Sequence, residues 1–138
     1  MAQSPCWSLA SKPLTRTMRE LSPTDWDFHA RTGMPVIPYS PTAQGFFATN
    51  GTRGREYDSP GNRRRLQRVN ALAAQRGVSP NQIALAWLRA QPFPVIPILG
   101  TGDVGHLREA LGAAGAMVET VRGAGYRLTA QPQALLRA

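Results

Sequence analysis

Two short turns in the sequence carry residue types that bind phosphate groups. Residues 40–45 (S-P-T-A-Q-G) follow the apolar run 34–39, and residues 100–103 (G-T-G-D) follow the apolar run 95–99. At the carboxyl ends of parallel strands, small residues let backbone amides approach a phosphate. Tight turns between a strand and a helix also need glycine for steric reasons, so each turn taken alone favours that simpler interpretation.

The pattern that positions the second turn lies in residues 79–100. Ser79 is a good N-cap, Pro80 suits the first helical position, and Gln82 can complete a capping box. Apolar side chains then recur at helical spacing until Pro92 ends the helix. The run V-I-P-I-L that follows is too short to span a membrane and predicts a strand buried on both faces, as in a parallel sheet.

Upstream, the same alternation of strand and helix recurs. The run 34–39 predicts a second buried strand, and residues 60–76 predict a helix that is capped by Ser59 and stopped by Gly77. Positive charge opposes the dipole at the start of this helix, and a solvated face is the simplest explanation for it. The arginines concerned are Arg63, Arg64, Arg65 and Arg68.

Three further elements complete the prediction. Short helices are expected after Ser22 and after Asp103, and residues 117–128 (M-V-E-T-V-R-G-A-G-Y-R-L) predict a β-hairpin. The order of elements indicates an α/β fold. We expect the two apolar segments to lie side by side, with their glycine-bearing ends facing one shared pocket.

Composition limits the function classes further. The 138 residues suffice for one modest domain, and the net charge is +8 with Lys12 as the only lysine. This arginine bias fits a GC-rich genome, and attraction to nucleic acid or another anionic surface is the alternative. A single cysteine, Cys6, excludes an intrachain disulfide and favours a cytoplasmic protein. We expect no export, membrane insertion, metal site or nucleophilic residue.

Four motifs, taken in order and spacing, resemble the C-terminal part of the aldo-keto reductases over about residues 3–112. The resemblance implies part of a (β/α)8 TIM barrel that reduces carbonyls with NADPH, with 34–39 as strand seven and 95–99 as strand eight. It divides the chain into a reductase domain, 1–114, and a hairpin-like tail, 115–138. The motifs are W-S-L-A at 7–10, P-V-I-P-Y-S-P-T-A-Q-G-F-F at 35–47, N-Q-I-A-L-A-W-L at 81–88 and P-V-I-P-I-L-G-T at 94–101.

The same resemblance implies a set of cofactor-binding residues. The turn after strand seven would contact the pyrophosphate, and the turn and helix after strand eight would hold the adenosine phosphate and the adenine. An acidic Asp103 stands where the family usually has serine and would repel a 2′-phosphate, so the cofactor is NADP or NAD. Gly102 and Ala110 also depart from the family pattern. The cofactor residues are Ser40, Thr42, Gln44 and Gly45, with Gly100, Thr101, His106 and Glu109.

In that family the catalytic Asp, Tyr, Lys and His come from the first four strands. This sequence holds none of them at a matching position, so we expect no catalytic residues here and no carbonyl reduction by the chain alone. Its expected partners are a nicotinamide nucleotide and the missing part of a barrel. A gene remnant without present activity is an alternative.

A second resemblance overlaps the first. Residues 106–128 resemble the recognition helix and wing of response-regulator winged-helix domains, although Ala110 stands where lysine is usual. This resemblance implies a DNA-binding module as the alternative function, with affinity that falls steeply as salt rises. The residues it would place nearest DNA are Arg108, Arg122, Gly123, Gly125 and Tyr126.

Overall fold

The computed structural model describes residues 21–128, so the 7–10 motif, Cys6 and the end of the tail lie outside the described residues. The chain divides into two compact units, Met1–Leu99 and Gly100–Ala138, which are treated separately below. The first contains helices α1 (Pro23–Thr32), α2 (Pro60–Arg76) and α3 (Pro80–Arg89), with 3-10 turns at Ala43–Gly45 and Arg55–Tyr57. The second contains helix α4 (Val104–Leu111), a 3-10 segment at Gly112–Met117 and strands β1 (Val118–Val121) and β2 (Gly125–Leu128).

Local capping chemistry explains where the helices begin, and all four predicted helices are confirmed. The side chains of Ser22, Ser59 and Ser79 each accept a hydrogen bond from a backbone amide in the first turn, and a proline follows each serine. The Ser79 capping box forms as expected, because Gln82 Oε1 accepts from the Ser79 amide at 3.0 Å. Helix α3 ends at Arg89, shortly before Pro92.

The two apolar segments are extended and pair in parallel, which confirms their predicted side-by-side arrangement. Val36 and Val95 form a parallel bridge, and the Ile98 amide donates to the Pro38 carbonyl at 3.2 Å. Between these contacts the ladder lacks one bond, because Pro38 has no amide hydrogen to donate toward Ile96. The segments therefore form a bridge in place of the two regular strands that the sequence predicts.

The prediction that both faces of these strands are buried is wrong. Ile37, Tyr39, Ile96 and Ile98 are exposed on one face, Ile37 by 59%. The opposite face, which carries Val36 and Val95, is half-buried. Among the described residues, each segment has only the other as a strand partner, and no barrel is present in that part of the chain. The first unit is thus a partial α/β structure.

Helices α2 and α3 pack on each other and enclose the core of the first unit. Phe46 is completely buried and meets Phe47 edge to face at 5.7 Å between ring centres. Ala43 of the 40–45 turn belongs to this cluster, and Phe46 and Phe47 directly follow the turn, so the core supports the turn. Its other members are Ala43, Tyr57, Leu66, Val69 and Ala84, with Ile83 against them.

The second unit is built from helix α4 and the predicted hairpin, which is confirmed. Strands β1 and β2 pair antiparallel, with Val118 opposite Leu128 and Val121 opposite Gly125. Helix α4 packs on the 3-10 segment that leads into β1. A Cβ atom at Gly115 would lie 2.3 Å from the Arg108 carbonyl oxygen, so this close approach requires glycine.

Candidate functional site

Three consecutive residues in the 40–45 turn adopt left-handed backbone conformations. The φ angles are 51° at Ala43, 51° at Gln44 and 86° at Gly45. Left-handed geometry is uncommon for residues other than glycine, and it persists only where surrounding structure enforces it. Such residues cluster at ligand-binding segments, which makes this turn the first candidate for a site.

Backbone hydrogen bonds within the turn and a close approach by Gly54 hold it in this shape. The Ala43 amide donates to the Ser40 carbonyl at 3.0 Å, and the Gly45 amide donates to the Thr42 carbonyl at 3.2 Å. Gly54 approaches so closely that a Cβ there would lie 2.5 Å from the Ala43 carbonyl oxygen. With φ at +60°, Gly54 is restricted to glycine by both backbone and space.

Thr49 ties the turn to the loop that follows, a role that the sequence analysis missed. Its hydroxyl donates to the Gly45 carbonyl at 2.9 Å and accepts from the Arg53 amide at 2.9 Å. A threonine four residues after a turn carbonyl is the only local signal for this link, and it is a weak one. The Thr49 hydroxyl therefore fixes the backbone at Arg53 relative to the backbone at Gly45.

The arginines at the start of α2 are held in part by partners of their own. Arg63 donates through two nitrogens to both carboxylate oxygens of Asp58, and its guanidinium lies 5.9 Å from the centre of the Phe46 ring. These hydrogen bonds from Arg63 lower the pKa of Asp58. Arg65 donates to the buried Asn62, whose amide nitrogen donates to the Tyr57 carbonyl at 2.7 Å. The solvated-face explanation therefore holds for Arg64 and Arg68, which are exposed.

The second unit brings together part of the predicted adenosine-binding set. The Thr101 hydroxyl lies 3.5 Å from His106 Nδ1 and accepts from the Asp103 amide at 3.1 Å. Asp103 caps α4 by accepting from the Gly105 amide at 2.7 Å. Gly100 and Gly102 are exposed, and Glu109 is half-buried one turn further along α4. The two predicted phosphate-contacting groups belong to different units, so their shared pocket stays a prediction.

The predicted DNA-contacting residues have different surroundings from one another. Arg108 is engaged internally, because its Nη2 and Nε donate to the Val118 carbonyl at 2.8 and 3.3 Å. Arg122, Gly123 and Gly125 lie exposed at the hairpin turn, and the backbone of Tyr126 in β2 pairs with Thr120 in β1. Arg108 thus fastens the hairpin to α4, and a DNA interface stays a prediction.

We expect Arg108→Ala to loosen the hairpin. The change removes two charge-assisted hydrogen bonds and leaves the Val118 carbonyl without them, a loss of about 1–3 kcal/mol in local stability. Amide hydrogen exchange of β1 and β2 measures the effect. Arg122→Ala removes the same charge from the exposed turn and is the matched control. Equal protection of the strands in both variants would show that Arg108 has no role in holding the hairpin.

The described range contains neither a cluster of metal ligands nor a membrane-spanning helix. Among residues 21–128, no group of three or more His, Cys, Asp and Glu side chains is placed to hold a metal ion. None of the helices in this range is both long and apolar enough to cross a bilayer.

Comparisons with known proteins identify the relatives of this chain. A match to the aldo/keto reductase family covers residues 13–120 and includes both turns. The chain is 30% identical over 95 residues to "Probable aldo-keto reductase 1" of Glycine max, which is 59% of this chain and 28% of that protein. No solved structure gives a significant match. Since the family match extends over most of the sequence, the chain belongs to the aldo/keto reductase family.

Proposed function

We propose that this chain binds the phosphates of a nicotinamide nucleotide through the 40–45 turn, as the C-terminal part of an aldo-keto reductase. The observation that carries the proposal is the run of left-handed residues at Ala43, Gln44 and Gly45. Left-handed segments of this kind are common at ligand-binding sites, and this one presents the exposed Gln44 beside the half-buried Thr42. Family membership supplies the nucleotide as the ligand class.

The side chains of the turn fit such a ligand. Ala43 is buried and Gly45 has no side chain, so neither obstructs a phosphate. Gln44 is exposed and carries two amide N–H donors, while the half-buried Thr42 offers a hydroxyl. When bound, NADPH or NADH supplies the hydride in this family, and the residues of the turn would bind and orient its pyrophosphate.

The second part of the proposal concerns the adenosine end of the nucleotide. Thr101 and His106, together with Glu109, Gly100 and the helix that follows them, would bind the adenosine phosphate and adenine, as the family resemblance implies. The hydrogen bond that Thr101 accepts from the Asp103 amide orders the start of this segment before any ligand arrives. Such preorganisation lowers the entropic cost of binding.

We further propose that the chain alone does not reduce carbonyls. The relative from Glycine max is much longer, and this chain spans 28% of its length. The Asp, Tyr, Lys and His that act in the family lie on strands that the resemblance places before strand seven. Catalysis would therefore require a complementary barrel segment. A cytoplasmic location likewise stays a prediction.

Calorimetric titration of the purified chain with NADH and NADPH tests the proposal. We expect weak but saturable binding with one site, and no consumption of the reduced nucleotide when an aldehyde is added. Inosine, which lacks the phosphates, is the control ligand and should not bind. Absence of saturable binding by either nucleotide would refute the proposed function, and turnover of the aldehyde would refute the proposed dependence on a second segment.

A further inference from the structure

One exposed arginine lies against the 40–45 turn without belonging to the set that the sequence predicts. A Cβ atom built on Gly45 would lie 3.8 Å from both Cβ and Cδ of Arg53. The methylene stem of Arg53 therefore covers the Gly45 side of the turn at van der Waals distance. A larger residue at position 45 would press directly on this stem.

The backbone around Arg53 is fixed relative to the same turn on both sides. Before it, Thr49 links the Arg53 amide to the Gly45 carbonyl through one hydroxyl, with both hydrogen bonds at 2.9 Å. After it, Gly54 lies close to the Ala43 carbonyl oxygen. The position of Arg53 beside the turn is thus set by backbone contacts and does not depend on its own charge.

The guanidinium of Arg53 differs from those of nearby arginines. Arg63 is bound to Asp58 and Arg65 to Asn62. Arg53 is exposed, and its guanidinium forms no hydrogen bond or ion pair in the part of the chain that the structure describes. Its five N–H donors remain available in a geometry that suits a phosphate or a diphosphate.

We propose that Arg53 is an anion-binding residue of the 40–45 turn and contacts the diphosphate of the bound nucleotide. This inference rests on the proposed function, because it takes the turn as the phosphate site. A guanidinium can donate two parallel hydrogen bonds to phosphate oxygens, whereas the turn itself offers neutral donors. Arg53 would supply the positive charge that the predicted phosphate contacts Ser40, Thr42, Gln44 and Gly45 lack.

The test compares Arg53→Met with Arg64→Met, which removes the same charge from an exposed arginine on α2. Methionine keeps an apolar stem over Gly45, and thermal unfolding of each variant checks that the fold is retained. The probes are NADH and inorganic pyrophosphate, titrated by calorimetry at low salt. We expect Arg53→Met to weaken both by about tenfold or more, Arg53→Lys to recover part of the loss, and Arg64→Met to have little effect.

The outcomes separate this inference from the proposed function. If the native chain binds pyrophosphate but not NADH, and Arg53→Met loses the pyrophosphate binding, the anion site is supported and nucleotide binding is refuted. Equal affinities for Arg53→Met and Arg64→Met would overturn the role of Arg53 while nucleotide binding stands. A native chain that binds neither probe would overturn both.

Discussion

Replacing Phe46 by alanine is expected to unfold the first unit and to remove nucleotide binding with it. Phe46 is fully buried and directly follows the left-handed run, and a Cβ atom on Gly54, which holds that run in place, would lie 3.2 Å from the Phe46 Cβ. Truncating a buried phenylalanine costs about 3–5 kcal/mol. Domains of this size are stable by only about 5–15 kcal/mol, and a partial α/β unit with an exposed apolar face is expected at the low end.

Chemical denaturation followed by circular dichroism measures this loss, and calorimetry with NADH measures binding in the same samples. Phe28→Ala is the matched control, because Phe28 lies on α1 and is 41% exposed. Its truncation should lower the free energy of unfolding by no more than about 1 kcal/mol. A Phe46→Ala variant as stable as Phe28→Ala would show that the buried cluster does not support the turn.

The helices were predictable because their signals are local. Each serine cap acts on an amide three residues away, and the proline and glycine that frame α2 act through their own backbone angles. None of this chemistry requires knowledge of the rest of the molecule. The hairpin belongs to the same class, since its turn residues Gly123 and Gly125 both have positive φ.

Burial of the two apolar segments was not predictable from their composition. A run such as V-I-P-I-L shows that burial of the strand would be favourable, but whether it is buried depends on other elements that pack against it. Among the described residues, the face with Ile37 and Ile96 has no such partner. The regular ladder failed for a different reason, which the sequence does contain: Pro38 cannot donate the hydrogen bond that its position requires.

The shape of the 40–45 turn also lay beyond local pattern. Glycine at position 45 permits a positive φ, but nothing in A-Q predicts that Ala43 and Gln44 adopt one too. That conformation depends on Gly54, which contacts Ala43 from a loop whose sequence shows only polar residues and glycines as a pattern. The same loop contains the buried Tyr57, whose carbonyl binds the side chain of Asn62. Contacts between sequence-distant residues therefore complete a site that sequence motifs only begin.

Asp103 carries the second large expected effect, a shift in cofactor preference. Its carboxylate already accepts from the Gly105 amide at the start of α4, and it would lie beside the adenosine ribose in the proposed binding mode. A 2′-phosphate there would meet a like charge and a helix end whose donor is already taken. The native chain is therefore expected to bind NADH more tightly than NADPH.

Replacing Asp103 by serine removes the charge and retains a good helix cap, so the fold should be unaffected. We expect the ratio of NADPH to NADH affinity to rise about tenfold, which corresponds to removing a like-charge repulsion on the order of 1 kcal/mol near the surface. Calorimetric titration with both nucleotides measures the ratio. Asp103→Asn should reproduce the shift, since it is also neutral and also caps well, whereas Asp27→Ser removes a carboxylate from α1 and should leave the ratio unchanged. An unchanged ratio in both Asp103 variants would place the 2′ position of the ribose away from α4.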